Sequence, residues 1–145
     1  MSVDFSAAFS FPIRVYYEDT DAAGVVYYAK YLRYLERART EWLEALGFPL
    51  AAFEREHRVA FAVHRAEIDF VRPARLNDRI AVSVEARNRG ACRLVVAQQV
   101  VRDGETLVDA TIALACVDPL RFRPARIPKP LARILETALP REHDR

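Results

Sequence analysis

A long amphipathic stretch near the N-terminus, followed by an extended run patterned as strands, is what most limits the folds open to this chain. From Tyr28 to Leu46 the residues Tyr31, Leu35, Ala38, Trp42 and Leu46 recur at spacings of three and four, while Glu36, Arg37, Arg39, Glu41 and Glu44 fall largely elsewhere on the wheel. This predicts one long helix, with Gly47 suited to its C′ position and Pro49 preventing continuation. A shorter helical piece is expected from Leu50 to about Glu56, and another from Leu131 to Leu139, before a charged, frayed end. Ile13 to Asp19, rich in β-branched and aromatic residues, reads as a first strand.

Val59 to Asp118 reads as antiparallel strands. In Arg79 to Arg87, Ile80, Val82, Val84 and Ala86 share one face and Ser83, Glu85 and Arg87 the other, which is the alternation of a half-buried strand. Leu94 to Val101 and Leu107 to Val117 form a hairpin across Asp103-Gly104, and Arg89-Gly90 turns the chain before it. Ile68 to Val71 stops before Pro73, which cannot sit in a central strand. The order is α+β, satisfied by a central helix wrapped in a curved antiparallel sheet.

The 145 residues carry 22 Lys+Arg against 20 Asp+Glu, a net charge of +2, and 52% are hydrophobic, so a single domain with an ordinary core is expected over 1–145. That balance supplies no general cationic field, and nucleic acid is not an expected partner. No apolar run reaches the roughly 18 to 20 residues of a membrane span. The start, Met1 to Pro12, lacks a positive n-region and contains Asp4, which argues against a leader and for the cytosol. Cys92 and Cys116, each in an apolar stretch, read as reduced core residues.

The common catalytic arrangements are absent from the sequence. Ser2, Ser6, Ser10 and Ser83 lie in no G-x-S-x-G context, and four glycines form neither G-x-G-x-x-G nor a P-loop. His57, His64 and His143 have no metal-ligand spacing, so neither a metal nor a nucleotide cofactor is expected. His64 reads as a satisfied strand residue and Trp42 as a core residue. What stands out is Tyr16 to Tyr28, where Glu18, Asp19 and Asp21 crowd the junction of first strand and long helix. A helix start offers unpaired N–H groups to a carbonyl oxygen that is becoming an oxyanion, and a carboxylate beside it serves as nucleophile or general base. The plainer alternative is that Asp19 or Asp21 caps the helix and Gly24 makes a turn.

Tyr17-Glu18-Asp19-Thr20-Asp21-x-x-Gly24-Val25-Val26-Tyr27, with Tyr31-Leu32 and Glu36 to Glu41 after it, closely resembles the hot-dog-fold acyl-CoA thioesterases of the 4-hydroxybenzoyl-CoA thioesterase type. The resemblance is greatest to their Tol-Pal-associated, YbgC-type branch. It extends through Arg58 to Phe61, Pro73 to Asp78, Cys116 to Leu120 and Arg126 to Lys129, and so covers about residues 12–130. It implies a hot-dog fold with sites at dimer interfaces and a tetramer built as a dimer of dimers. It also implies Asp21 as catalytic carboxylate, backbone N–H groups at Gly24 and Tyr28 as oxyanion donors, and Tyr17, Val25 and Tyr27 around the substrate. Arg72, Arg75, Arg89, Arg93, Arg121 and Arg123 are the candidates for gripping coenzyme A phosphates, since guanidinium groups match phosphate oxygens.

The chain departs from the branch in reading Val25-Val26-Tyr27-Tyr28-Ala29-Lys30-Tyr31, with Tyr28 where His is usual and Lys30 where Asn is usual. The loss of His removes a possible proton donor, while a backbone N–H survives any side chain. Lys30 is expected on the solvated helix face. The function expected is hydrolysis of an acyl-CoA thioester, with acyl carrier protein as another possible carrier of the acyl group. The competing readings are a hydratase on the same fold, for which no histidine closely follows Asp21, and a non-catalytic acyl-binding scaffold of envelope or lipid machinery.

Overall fold

Three long strands, Arg79–Arg89 (β3), Arg93–Arg102 (β4) and Glu105–Asp118 (β5), pair in sequence order as an antiparallel meander. They form the middle of the sheet in a computed structural model that describes residues 9–139. The β4–β5 turn is made by Asp103 and Gly104, both at positive φ (50° and 79°), the mirror-type turn whose twist matches a hairpin. Phe9–Arg14 (β1) flanks β3, and Ala60–Phe70 (β2) flanks β5, giving the order β1-β3-β4-β5-β2. Arg123–Pro124 (β6) adds a two-residue pairing to the end of β5.

The helix Lys30–Ala45 (α1) lies against one face of this sheet, with Tyr31, Leu35, Ala38 and Trp42 buried beneath it, and Leu46 just beyond its end. Facing them are Ile80, Val82, Val84, Leu94, Val96, Val100 and Ile112. Gln98 of β4 is fully buried in this layer. Its Nε2 donates to the Leu35 carbonyl (3.0 Å) and the Ser83 carbonyl (3.2 Å), and its Oε1 accepts from Arg39 (3.0 Å). Leu50–His57 (α2) closes one end, where Phe53 stacks on Phe61 of β2. Lys129–Ala138 (α3) covers the core with Leu131, Leu135 and Ala138. This is the wrapped-helix arrangement expected from the α+β order, and the hot-dog fold that the family resemblance implies.

Several expected boundaries move. The first strand ends at Arg14 rather than Asp19, because the chain leaves the sheet and the Asp19 carboxylate accepts the Tyr16 N–H (2.9 Å), closing a 3₁₀ turn over Tyr17–Asp19. The long helix begins at Lys30 rather than Tyr28, because Val25 and Val26 are still in extended bridges and the Tyr27 N–H is tied to the Asp19 carbonyl (3.0 Å). Cys116 is buried, and burial pushes its thiol up to about 11. Cys92, expected in the core, is a half-buried residue of the β3–β4 turn. His64 is a strand residue of β2, as expected, and lies exposed at a register shift between Val63 and Arg65. Residues 1–8, the charged C-terminal end and His143 lie outside the described residues.

Candidate active site

The Tyr16–Ala29 loop is folded by backbone bonds within itself and to the segment around Ala74. Asp21 N–H donates to the Val25 carbonyl (2.9 Å), Gly24 N–H to the Asp21 carbonyl (3.0 Å) and Val26 N–H to the Ala74 carbonyl (2.8 Å). Gly24 sits at φ +78°, a conformation that a side chain would strain. The Asp21 side chain is exposed. One of its oxygens accepts the Ala23 N–H (2.8 Å), forming an Asx turn, and the other has no protein donor among the described residues. Asp21 and Asp19 therefore organise the loop, and neither caps α1.

The start of α1 has no side-chain cap. Lys30 and Tyr31 return their N–H groups to the Tyr27 and Tyr28 carbonyls. The N–H groups of Tyr28 and Ala29 have no acceptor among the described residues. They are the orphan donors of a helix terminus, where partial positive charge accumulates. Gly24, the other expected oxyanion donor, has its N–H committed to the turn.

A hollow of about 230 Å³ opens beside this terminus, lined by Val26, Tyr28, Tyr31, Phe70, Val71 and Arg72. Its floor is braced by Tyr31, whose hydroxyl accepts the Ala74 N–H (3.0 Å) and thereby ties the Val71–Asp78 segment to α1. Burial raises the Tyr31 phenol above its ordinary value, so it stays protonated at neutral pH. Asp78 supports the same segment by accepting the Arg75 N–H and the Arg102 guanidinium, each at 2.7 Å. Partial burial works against the Asp78 carboxylate, but those partners outweigh it and hold the carboxyl below its usual range.

The remaining expected residues divide. Tyr27 packs on Tyr28 with ring centroids 4.9 Å apart, and Val25 bridges to Arg75, so both belong to the loop. Tyr17 is 83% exposed on the 3₁₀ turn and lines none of the described hollows at α1. Arg72 and Arg75 flank the loop. Arg89, Arg93, Arg121 and Arg123 gather at the far end of the sheet, about 30 Å from the loop of the same protomer at roughly 3.3 Å per strand residue. Lys30, expected on the solvated face, is only partly exposed; its Nζ lies 3.5 Å from the carboxylate of the buried Asp19. Sequence reading missed this pair and the braces at Tyr31 and Asp78. The signal for the first was Lys30 itself, a cation at a helix start.

A sequence profile for the thioesterase-like superfamily matches residues 15–135. The chain belongs to that superfamily. Among its thioesterase-like relatives, the acyl-CoA thioesterase YbgC of Haemophilus influenzae is 43% identical over 121 residues, covering 83% of this chain and 89% of the relative. The 1,4-dihydroxy-2-naphthoyl-CoA hydrolase of Nostoc punctiforme is 30% identical over 130 residues, covering 90% and 88%. The crystal structure of a 1,4-dihydroxy-2-naphthoyl-CoA thioesterase from Synechocystis superposes with a TM-score of 0.81 at 26% identity, covering 89% of this chain and 96% of that one.

Proposed function

We propose that this chain hydrolyses acyl-CoA thioesters to a free carboxylic acid and coenzyme A, with Asp21 as the catalytic carboxylate. The observation that carries the reading is the pairing, in one hydrogen-bonded loop, of an exposed carboxylate with an uncommitted oxygen and a helix start with two unpaired N–H groups. The Tyr28 and Ala29 N–H groups receive the thioester carbonyl oxygen and stabilise its negative charge as the carbon becomes tetrahedral. Asp21 either attacks that carbon, giving a mixed anhydride that water then opens, or takes a proton from attacking water. In both routes the coenzyme A thiolate leaves and is protonated. The likeness to YbgC thioesterases and naphthoyl-CoA hydrolases supports this substrate class.

Arg72 and Arg75 are the cations placed to meet the phosphates of coenzyme A. Arg72 is held by Glu105 at 2.9 Å on an exposed surface, a pairing that phosphate exchanges at little cost. An acyl carrier protein presents the same thioester on the same pantetheine arm and is included in the reading.

The working unit is proposed as a homodimer formed through β2, paired again into a tetramer and acting in the cytoplasm. Among the described residues β2 pairs with β5 alone, leaving an eleven-residue edge that exposes Val63 and Phe70. An edge this long invites a second strand. Antiparallel pairing of two β2 strands brings the Phe70 end of one, where Tyr28 packs, to the Phe61 end of the other. There a hollow of about 240 Å³ lies among Arg39, Trp42, Phe61 and Val63.

The test is thiol release from acetyl-, long aliphatic and aromatic acyl-CoA, with Asp21→Asn compared to wild type at matched secondary structure and oligomeric state. The reading expects turnover in wild type and a loss of about 10² to 10⁴-fold in the variant. Undiminished turnover in Asp21→Asn overturns the carboxylate, and retention of acyl-CoA without thiol release by wild type makes the protein an acyl-binding scaffold.

A further inference from the structure

Tyr34 of α1 is 1% exposed, and its hydroxyl has no hydrogen-bond partner among the described residues. Buried hydroxyls are almost always bonded, and one left alone destabilises the fold that holds it. The ring is not free to turn away. Helical side chains lean toward the start of their helix, so Tyr34 reaches back over the turn that begins at Lys30, and Tyr31 packs against it edge-on with centroids 6.0 Å apart.

Asp19 lies there, at the base of the loop before α1. Its carboxylate is buried, yet only one oxygen is well bonded, accepting the Tyr16 N–H at 2.9 Å. The other faces Lys30 Nζ at 3.5 Å, longer than a normal hydrogen bond. Lys30 and Tyr34 stand one helical turn apart on the same face of α1, so ammonium and phenol converge on one carboxylate. Burial raises the Tyr34 phenol above its ordinary value, and the Asp19 carboxylate, close enough to act as acceptor and as negative charge, raises it further. A buried donor that lacks an acceptor thus faces a buried acceptor short of a donor.

Given the thioester hydrolysis proposed above, on which this rests, we propose that Tyr34 is a positioning residue for it: the Tyr34 hydroxyl donates to the Asp19 carboxylate, directly or through one buried water, and with Lys30 fixes the base of the loop that carries Asp21. Tyr34 touches no reacting atom. Its effect comes through the spacing between Asp21 and the Tyr28 and Ala29 N–H groups, where a displacement of about 1 Å is enough to slow a reaction about a hundredfold.

The test is a double-substitution cycle on the whole protein, comparing wild type, Tyr34→Phe, Asp19→Ser and the two together by thermal melting and by steady-state turnover of one acyl-CoA. Serine keeps an acceptor for the Tyr16 N–H and is too short to reach the phenol. Tyr34→Phe is expected to melt about 3 °C below wild type and to lose about tenfold in kcat with KM within about twofold. Neither loss is expected to grow when Asp19 is already Ser. A Tyr34→Phe protein that melts at or above wild type overturns the proposal, because the hydroxyl is then unbonded and its removal favourable; that sign alone decides should Asp19→Ser fail to fold. Lower melting with kcat untouched also overturns it, as does a kcat loss that persists undiminished beside Asp19→Ser. Wild type without turnover on any acyl-CoA overturns the hydrolytic function together with the positioning role, whereas failure of the cycle in an active enzyme removes the positioning role alone.

Discussion

Lys30 Nζ lies 3.5 Å from the Asp19 carboxylate, across the base of the loop that carries Asp21. A cation in the first turn of a helix opposes the helix dipole, and a buried carboxylate without a partner is costly, so each residue makes the other tolerable. The same Asp19 side chain holds the Tyr16 N–H, and its carbonyl holds the Tyr27 N–H, so the pair fastens both ends of the loop.

Lys30→Met is therefore expected to lower stability by about 1 kcal/mol, a drop of roughly 3 °C in melting temperature. It should also reduce kcat several-fold with little change in KM, and Lys30→Arg should restore most of both. Thermal melts and steady-state kinetics on the three proteins check this; an unchanged Lys30→Met enzyme removes the pair from any positioning role.

Tyr28 supplies a backbone N–H in the proposed reaction, and its hydroxyl takes no part. Tyr28→Phe is expected to keep kcat within about threefold of wild type, because the helix-terminus donors are untouched. A loss of a hundredfold, measured on the same substrate panel, would instead assign the phenol a direct part in proton transfer.

Gln98→Ala is expected to cost about 2 to 4 kcal/mol, read as a lower urea midpoint. The amide joins α1 to two strands, and its removal leaves the Arg39 guanidinium without its carbonyl oxygen partner inside the layer. Burial already holds Arg39 below its ordinary value, so the guanidinium has little solvent to fall back on.

Asp78 gives the fold a dependence on acid. Its carboxyl is depressed in the folded protein, so its contribution is present above the unfolded value near 4 and is lost as pH falls through the lower folded value. Asp78→Asn should lower the melting temperature at pH 7 and narrow its gap from wild type as pH drops below about 4. A gap of constant size across that range in a melting series would contradict the assignment.

The helix stripe from Tyr31 to Leu46 and the Asp103-Gly104 hairpin were legible in the sequence because each is set by neighbours a few residues away. The loop before α1 was less so. There the Asp19 carboxylate competes with sheet pairing for the backbone, and the outcome depends on Lys30 eleven positions later. Asp21 was legible through its motif, whereas its Asx turn and the engagement of the Gly24 N–H depend on coordinates. The six arginines were the least readable. Arg72 and Arg75 fall beside the loop and the other four at the opposite end of the sheet, a division set by strand pairing between distant segments.

The register shift at His64 has a consequence for solubility. A long, flat, unpaired strand edge is a template on which identical chains stack without limit. The extra residue at His64 bends β2 and increases its local twist, and charged Arg65, Glu67 and Asp69 follow it. An edge bent in this way is poorly matched to a straight fibril ladder. The irregularity thus acts as a filter on self-association, disfavouring the unlimited stacking that a regular strand edge permits.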